Sequence, residues 1–275
     1  MYKIIVGGKI HQSGINLLEK VNNFEVIVLP DASQETLEKS ISDADAVLLR
    51  LQSFSKRMIN NSPKLKILSR NGVGYDRIDI PELTNRKIPL TIVGDVNSGS
   101  VAEHTIMFIL DLLKNTKRHD EMVRGDKWKD RDLLISNDFE GKKILIVGFG
   151  KIGKKVAKIA HSFNACINIF DPFLSNKENF AESYNFFDEL DTAIMESEII
   201  TLHAPGMGKP IIGKDEISLM QQNTILINTS RGSHIDLNAL PAALKSGKIR
   251  GAGLDVYPTE PPTISDHEIF SHKNI

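Results

Sequence analysis

The 275 residues hold 34 Lys and Arg against 35 Asp and Glu, a formal net charge of −1. A balance so close to neutral gives no electrostatic pull toward nucleic acid or an anionic membrane surface, so neither is an expected partner. With 41% hydrophobic and 25% charged residues, the composition is that of a globular chain with material for one large or two ordinary domains.

The opening MYKIIVGGKI has Lys3 ahead of a short apolar run, which reads as a first strand and not as a signal peptide. No apolar run approaches the roughly 20 residues of a bilayer span. Strands are expected at Lys3–Val6, Glu25–Leu29, Ala46–Leu49, Leu65–Ser69 and Leu90–Val93, with amphipathic segments between them such as SGINLLEK and SQETLEKSI. In the latter, Ser33 suits an N-cap and Glu35 the first turn, where a carboxylate meets the positive end of the helix dipole. Ser100 to Gly125 then reads as one long helix whose front half is apolar nearly all round and asks for burial on more than one side. A boundary near Ser98 divides the chain into 1–98 and 99–275. Alternation resumes with strands Ile144–Val147, Cys166–Phe170, Ile199–His203, Thr224–Asn228 and Ala252–Val256. Helices Ile152–Phe163, Leu190–Met195, Lys214–Met220 and Leu237–Lys245 fall between them. Such alternation implies α/β architecture with parallel sheets covered on both faces. The single cysteine, Cys166, has no partner for an intrachain disulfide, which fits a reducing compartment and a cytoplasmic location.

Gly148, Gly150 and Gly153 stand in G-x-G-x-x-G spacing between an apolar strand and a helix with one apolar face. That context suits a dinucleotide: the first glycine allows the tight turn, the second lets backbone approach a pyrophosphate, and the third lets helix and strand close up. A glycine-rich turn without a ligand is the plainer alternative. The next strand ends in Asp171, where a carboxylate can bond the adenosine ribose hydroxyls and repel a 2′-phosphate, favouring NAD over NADP. Asp171 before Pro172 could also be a turn residue only. Ligands in open α/β sheets bind beyond the carboxyl ends of the strands. The later strand ends carry His203 with Pro205, Thr229 to Arg231, and Asp255 with Glu260. An arginine at that rim can clamp a carboxylate and polarise a neighbouring carbonyl, as hydride transfer to a 2-oxo acid requires; a surface salt bridge is the alternative. Nothing suggests a metal site.

Several blocks in order give the chain a resemblance to the D-isomer-specific 2-hydroxyacid dehydrogenase family. They are SRNGVGYDRID (Ser69–Asp79), NSGSVAEHT (Asn97–Thr105), GFGKIG (Gly148–Gly153), FDP (Phe170–Pro172), LHAP (Leu202–Pro205), LINTSRG (Leu226–Gly232) and GAGLDVYPTEPP (Gly251–Pro262). The resemblance implies two Rossmann-like doubly wound domains, a flavodoxin-like substrate domain and an NAD-binding domain. It implies that backbone N–H groups of Asn71, Gly72, Val73 and Gly74 hold the substrate carboxylate. Lys151, Ile152 and Asp171 would contact pyrophosphate and ribose, Thr105, Ala204, Thr229 and Ser230 would line the dinucleotide, and Asp255 would approach the nicotinamide carboxamide. Arg231 would orient and polarise a 2-hydroxyacid or 2-oxoacid, and Glu260 would support a catalytic histidine. A homodimer built from Ser100 onward is also implied.

Departures from the family pattern are GMGKPIIGK after LHAP, Gly94 where proline is common, and Arg77 where asparagine is usual. None of the eight histidines falls at the family's acid–base position, which would lie a few residues past Asn274. His267 and His272 read as solvated, and His104 as structural. The chain is therefore expected to end inside its last strand, before that histidine and before the helix that returns to the first domain. Truncation of a complete enzyme and a natural NAD-binding protein without the acid are the two explanations. A methyltransferase using the glycine turn is a third class, disfavoured by the Arg231 and Glu260 blocks.

Overall fold

The computed structural model describes residues 1–31, 33–175, 177–180, 182–206, 208–263 and 268–275. The chain forms two compact units, Met1–Val96 and Asn97–Ile275.

The first unit alternates β1 (Tyr2–Val6), α1 (Gln12–Glu19), β2 (Phe24–Val28), α2 (Gln34–Ser40), β3 (Ala46–Leu49), α3 (Lys56–Asn60), β4 (Ile67–Arg70), α4 (Ile80–Asn85) and β5 (Leu90–Ile92). All pairings are parallel, in the order β2-β1-β3-β4-β5, which is the flavodoxin-like arrangement. Ser33 does cap α2: its Oγ accepts from the Thr36 N–H at 3.1 Å. Helices α3 and α4 give no clear period in the sequence, being only five and six residues long. Each relies on a side-chain cap, Ser55 on Met58 N and Asp79 on Glu82 N.

The second unit begins with α5 (Ser98–Lys114) and α6 (Thr116–Arg124), followed by a short 3-10 helix at Trp128–Leu133. The single long helix expected from Ser100 to Gly125 is thus two. Asn115 adopts φ 53°, ψ 40°, the left-handed conformation that ends a helix and that asparagine tolerates. There follow β6 (Lys143–Val147), α7 (Lys151–Ser162), β7 (Cys166–Phe170), β8 (Asn185–Phe187), α8 (Leu190–Met195), β9 (Ile199–Leu202), α9 (Lys214–Leu219), β10 (Thr224–Asn228), α10 (Leu240–Lys245) and β11 (Ile249–Leu254). The six strands are parallel in the order β11-β10-β9-β6-β7-β8, so strand order reverses between β6 and β9. Period-two alternation sorts the core: Ile144 and Ile146 face α5 and α7, while Leu145 and Val147 face α8, α9 and α10. Each such buried aliphatic side chain contributes about 1.5–3 kcal/mol.

Two strand expectations need correction. The last strand was expected at Ala252–Val256 but forms at Ile249–Leu254. Gly251 and Gly253 look like breakers in sequence, yet they let α5 seat directly on the strand: a Cβ at either would lie 2.7 Å from Leu112 Cδ2 or Phe108 Cβ. The final residues were expected to run as a strand. They form instead a 3-10 turn, Glu268–Ser271, and Asn274 then joins the flank of β11, its carbonyl accepting from Ala252 N at 2.9 Å.

Candidate functional site

The reversal point between β6 and β9 is where crossover helices leave on opposite faces and a crevice opens. Gly148 sits there with φ 93°, and a Cβ on it would lie 2.8 Å from Ala204 N and from the His203 carbonyl carbon. The two strand ends therefore touch through this glycine. A Cβ at Gly153 would fall 2.1 Å from the Gly148 carbonyl oxygen, so only glycine allows α7 to start so close to β6. Gly150 differs from both, because a Cβ there would meet nothing within 4 Å. Gly150 also stands at the N-cap of α7 without a side-chain cap bond. The start of α7, with Lys151 and Ile152 in its first turn, is thus open beside Gly150, and a helix start of this kind favours an anion such as a pyrophosphate.

Asp171 at the end of β7 accepts from Phe149 N at 2.8 Å through Oδ2 and from Phe173 N at 2.9 Å through Oδ1. The carboxylate thereby braces the glycine turn, and each oxygen keeps a lone pair for a ribose hydroxyl. A cavity of about 470 Å³ opens beside it, walled by Phe170, Leu190, His203, Pro205, Pro210 and Ile211 among others, with Gly148 and Gly150 at its edge. That volume suits a small-molecule site. Pro210, Ile211 and Lys209 of this wall come from GMGKPIIGK, the stretch that departs from the family pattern.

His203 bonds Thr201 Oγ1 through Nε2 at 2.9 Å, while its Nδ1 is buried without a partner among the described residues. Burial pulls this imidazole down to about 3, so it is neutral at physiological pH.

The loop after β10 is scaffolded by residues the sequence did not single out. Asn228 accepts from Ser230 N at 3.1 Å and from Ser230 Oγ at 2.9 Å, and its amide donates to Arg231 O at 2.8 Å. His234, fully buried, meets Ser230 Oγ at Nδ1 and the Pro205 carbonyl at Nε2, both at 2.9 Å. Its carbonyl also accepts from Ile211 N and Ile212 N, so one histidine ties the Arg231 loop to the cavity wall. The Asn-Thr-Ser order was a visible hint of an Asx turn; nothing local marked His234. Arg231 is half-buried and donates from Nη1 to Ser230 O at 2.8 Å. A Cβ on Gly232 would lie 1.9 Å from the Tyr257 carbonyl carbon, so the Arg231 loop lies flush on the loop that carries Glu260. Glu260 is exposed and accepts from Tyr257 N at 3.2 Å.

Thr105 is fully buried, its hydroxyl donating to Val101 O at 2.9 Å and lying 2.9 Å from that of Thr229, so it braces Thr229. Asp255, at the end of β11, lies 3.4 Å from His104 Nε2. In the first unit, the Asn71 and Gly72 amides donate to Leu49 O and Arg70 O. Of the four loop amides read as carboxylate donors, those two are therefore committed internally, and Val73 and Gly74 are not among the described residues' donors. His272 is half-buried and His267 lies outside the described residues. Among the described residues no cluster of three or more His, Cys, Asp or Glu is placed to hold a metal ion, and no helix is long and apolar enough to cross a membrane.

A parallel sheet that reverses order at a glycine turn, with a carboxylate on the neighbouring strand end, defines a Rossmann dinucleotide-binding protein. Residues 106–275 match the family model for the D-isomer specific 2-hydroxyacid dehydrogenase, NAD binding domain. The chain is 35% identical to a glyoxylate reductase of Thermococcus litoralis, over 99% of this chain and 85% of that one. It is 34% identical to the D-3-phosphoglycerate dehydrogenase of Methanocaldococcus jannaschii, over 100% of this chain and 52% of that one. It thus spans about half the length of the latter. The D-lactate dehydrogenase of Aquifex aeolicus, solved with NAD and lactic acid, superposes with a TM-score of 0.86 at 25% identity, covering 94% of this chain and 78% of that chain. The chain belongs to the D-isomer specific 2-hydroxyacid dehydrogenase family, and its second unit is that family's NAD-binding domain.

Proposed function

We propose that the protein is an NAD-dependent oxidoreductase acting between a small D-2-hydroxyacid and its 2-oxoacid, of the phosphoglycerate, glycerate/hydroxypyruvate or glyoxylate class. One observation carries this: the Arg231 loop is locked at the strand-end rim by Asn228 and His234 and lies on the loop bearing Glu260, beside the glycine turn. A guanidinium so placed grips a carboxylate in two parallel hydrogen bonds and stabilises negative charge developing on the adjacent carbonyl oxygen.

NAD, when bound, supplies the hydride acceptor or donor. The amides at the start of α7, with Lys151 and Ile152, would hold its pyrophosphate, and Asp171 its adenosine ribose, in keeping with an open Gly150 and a braced carboxylate. Thr229 and Ala204 would line the middle of the dinucleotide, and Asp255 would accept from the carboxamide. The first unit would be the substrate domain, its Val73 and Gly74 amides receiving the substrate carboxylate. Glu260 would hold the tautomer of an acid–base histidine and raise its pKa.

We further propose a homodimer. Helix α6 buries none of its residues, and Trp128, Leu133 and Ile135 after it are 60%, 81% and 75% exposed, a run of apolar surface that a second copy would cover. The exposed free thiol of Cys166 suits a cytoplasmic protein.

The test is NADH oxidation by the full gene product with a panel of 2-oxo acids. Turnover is expected with at least one, and a drop of about a hundredfold or more in Arg231→Ala with NADH binding retained. Tight NADH binding without turnover on any oxo acid would instead make the protein a non-catalytic NAD(H)-binding regulator.

A further inference from the structure

We infer that His104 is a positioning residue for the nicotinamide end of the site, setting the direction in which the Asp255 carboxylate points. This rests on the proposed role of Asp255 and extends it to a side chain on another element. Nε2 of His104, on α5, lies 3.4 Å from Oδ1 of Asp255, the first residue past β11. Both side chains are partly open to solvent, 38% for the histidine and 51% for the aspartate. An aspartate so exposed is free to rotate toward water, and a ligand amide would have to order it on binding. The imidazole orders it beforehand. Nε2 can turn an N–H toward Oδ1 across this distance.

The ring and the backbone beneath the carboxylate are each held in place. Phe108, one turn further along α5, meets the His104 ring edge-on, with centroids 4.4 Å apart and planes at 64°. Phe108 in turn rests on β11 at Gly253, where a Cβ would lie 2.7 Å from Phe108 Cβ and Cγ. The Asp255 N–H donates to Asn228 O at 3.0 Å, fixing the aspartate to the same residue that scaffolds the Arg231 loop. With Oδ1 turned to His104, Oδ2 is left to accept from a primary amide such as the carboxamide.

The experiment compares two probes, NADH and ADP-ribose, which lacks the nicotinamide, by fluorescence and calorimetric titration. His104→Phe keeps the ring against Phe108 and removes only the donor. It is expected to weaken NADH binding about fivefold, with ADP-ribose affinity unchanged, and His104→Gln, which restores a donor, to recover most of the loss. In an Asp255→Ala background, His104→Phe should add nothing, because the two residues act as one unit. Wild-type NADH affinity in His104→Phe, with Asp255→Ala still selectively impaired for NADH, would overturn the inference while leaving Asp255 in its role. If Asp255→Ala weakens both probes equally or neither, the reading of Asp255 itself is wrong and the inference falls with it.

Discussion

Gly148 and Gly150 stand two residues apart, and the structure separates their functions. At Gly148 an alanine must adopt φ 93°, which costs about 1–2 kcal/mol, and must insert a methyl 2.8 Å from the backbone of His203 and Ala204. Backbone cannot swing away as a side chain can, so overpacking adds about 1–3 kcal/mol. The sum, roughly 2–5 kcal/mol, corresponds to a fall in melting temperature of roughly 5–15 °C for a unit of this size. At Gly150 the backbone has φ −77° and ψ −157°, open to any residue, and the added methyl meets nothing within 4 Å. Gly150→Ala should therefore shift stability by less than about 1 kcal/mol, the usual scale for a cap position. The same methyl would stand where a pyrophosphate approaches, and losing one or two charge-assisted hydrogen bonds weakens NADH binding by about tenfold or more. Thermal unfolding of both ligand-free variants, with NADH titration of Gly150→Ala, tests the pair. A Gly150→Ala protein that melts like wild type and binds NADH within about twofold of it would refute the cradle. A Gly148→Ala protein of unchanged melting temperature would refute the contact at the reversal point.

Two further predictions concern the buried ring of His203 and the exposed apolar run after α6. His203 is held to about 3 by burial, below the unfolded value near 6.5, so the unfolded chain binds the extra proton between those pH values. Its contribution to stability is thus fully present above about pH 6.5 and is lost as pH falls toward 3; urea midpoints at pH 7.5, 5.5 and 4.5 should fall more steeply in wild type than in His203→Gln, and equal slopes would show the ring to be solvated. For the exposed apolar run, Leu133→Asp combined with Trp128→Ala should yield a monomer in sedimentation velocity at micromolar concentration with helical circular dichroism unchanged; a persisting dimer would place the interface elsewhere.

Much of this site was legible because its constraints are local. Strand alternation at Ile144–Val147 follows from a two-residue period, the Gly148–Gly153 spacing from the turn between strand and helix, and Asp171 from its place at the end of the next strand. Elements of five or six residues, such as α3 and α4, were not legible, since so short a stretch displays little more than one turn of any period. The break at Asn115 was also missed. Asparagine is acceptable within a helix, and only the backbone angle shows that it ends one.

Sequence alone thus determined the α/β class, the parallel sheets, the glycine turn and the order of polar residues along the strand ends, because each depends on neighbours a few positions away. Tertiary structure decided which of those residues meet. Thr105 bonds Thr229 across 124 positions, His234 ties Pro205 to the Arg231 loop, and His104 faces Asp255. Parallel strands require crossovers, and crossovers bring distant strand ends and helix turns together without leaving any periodic trace in the chain.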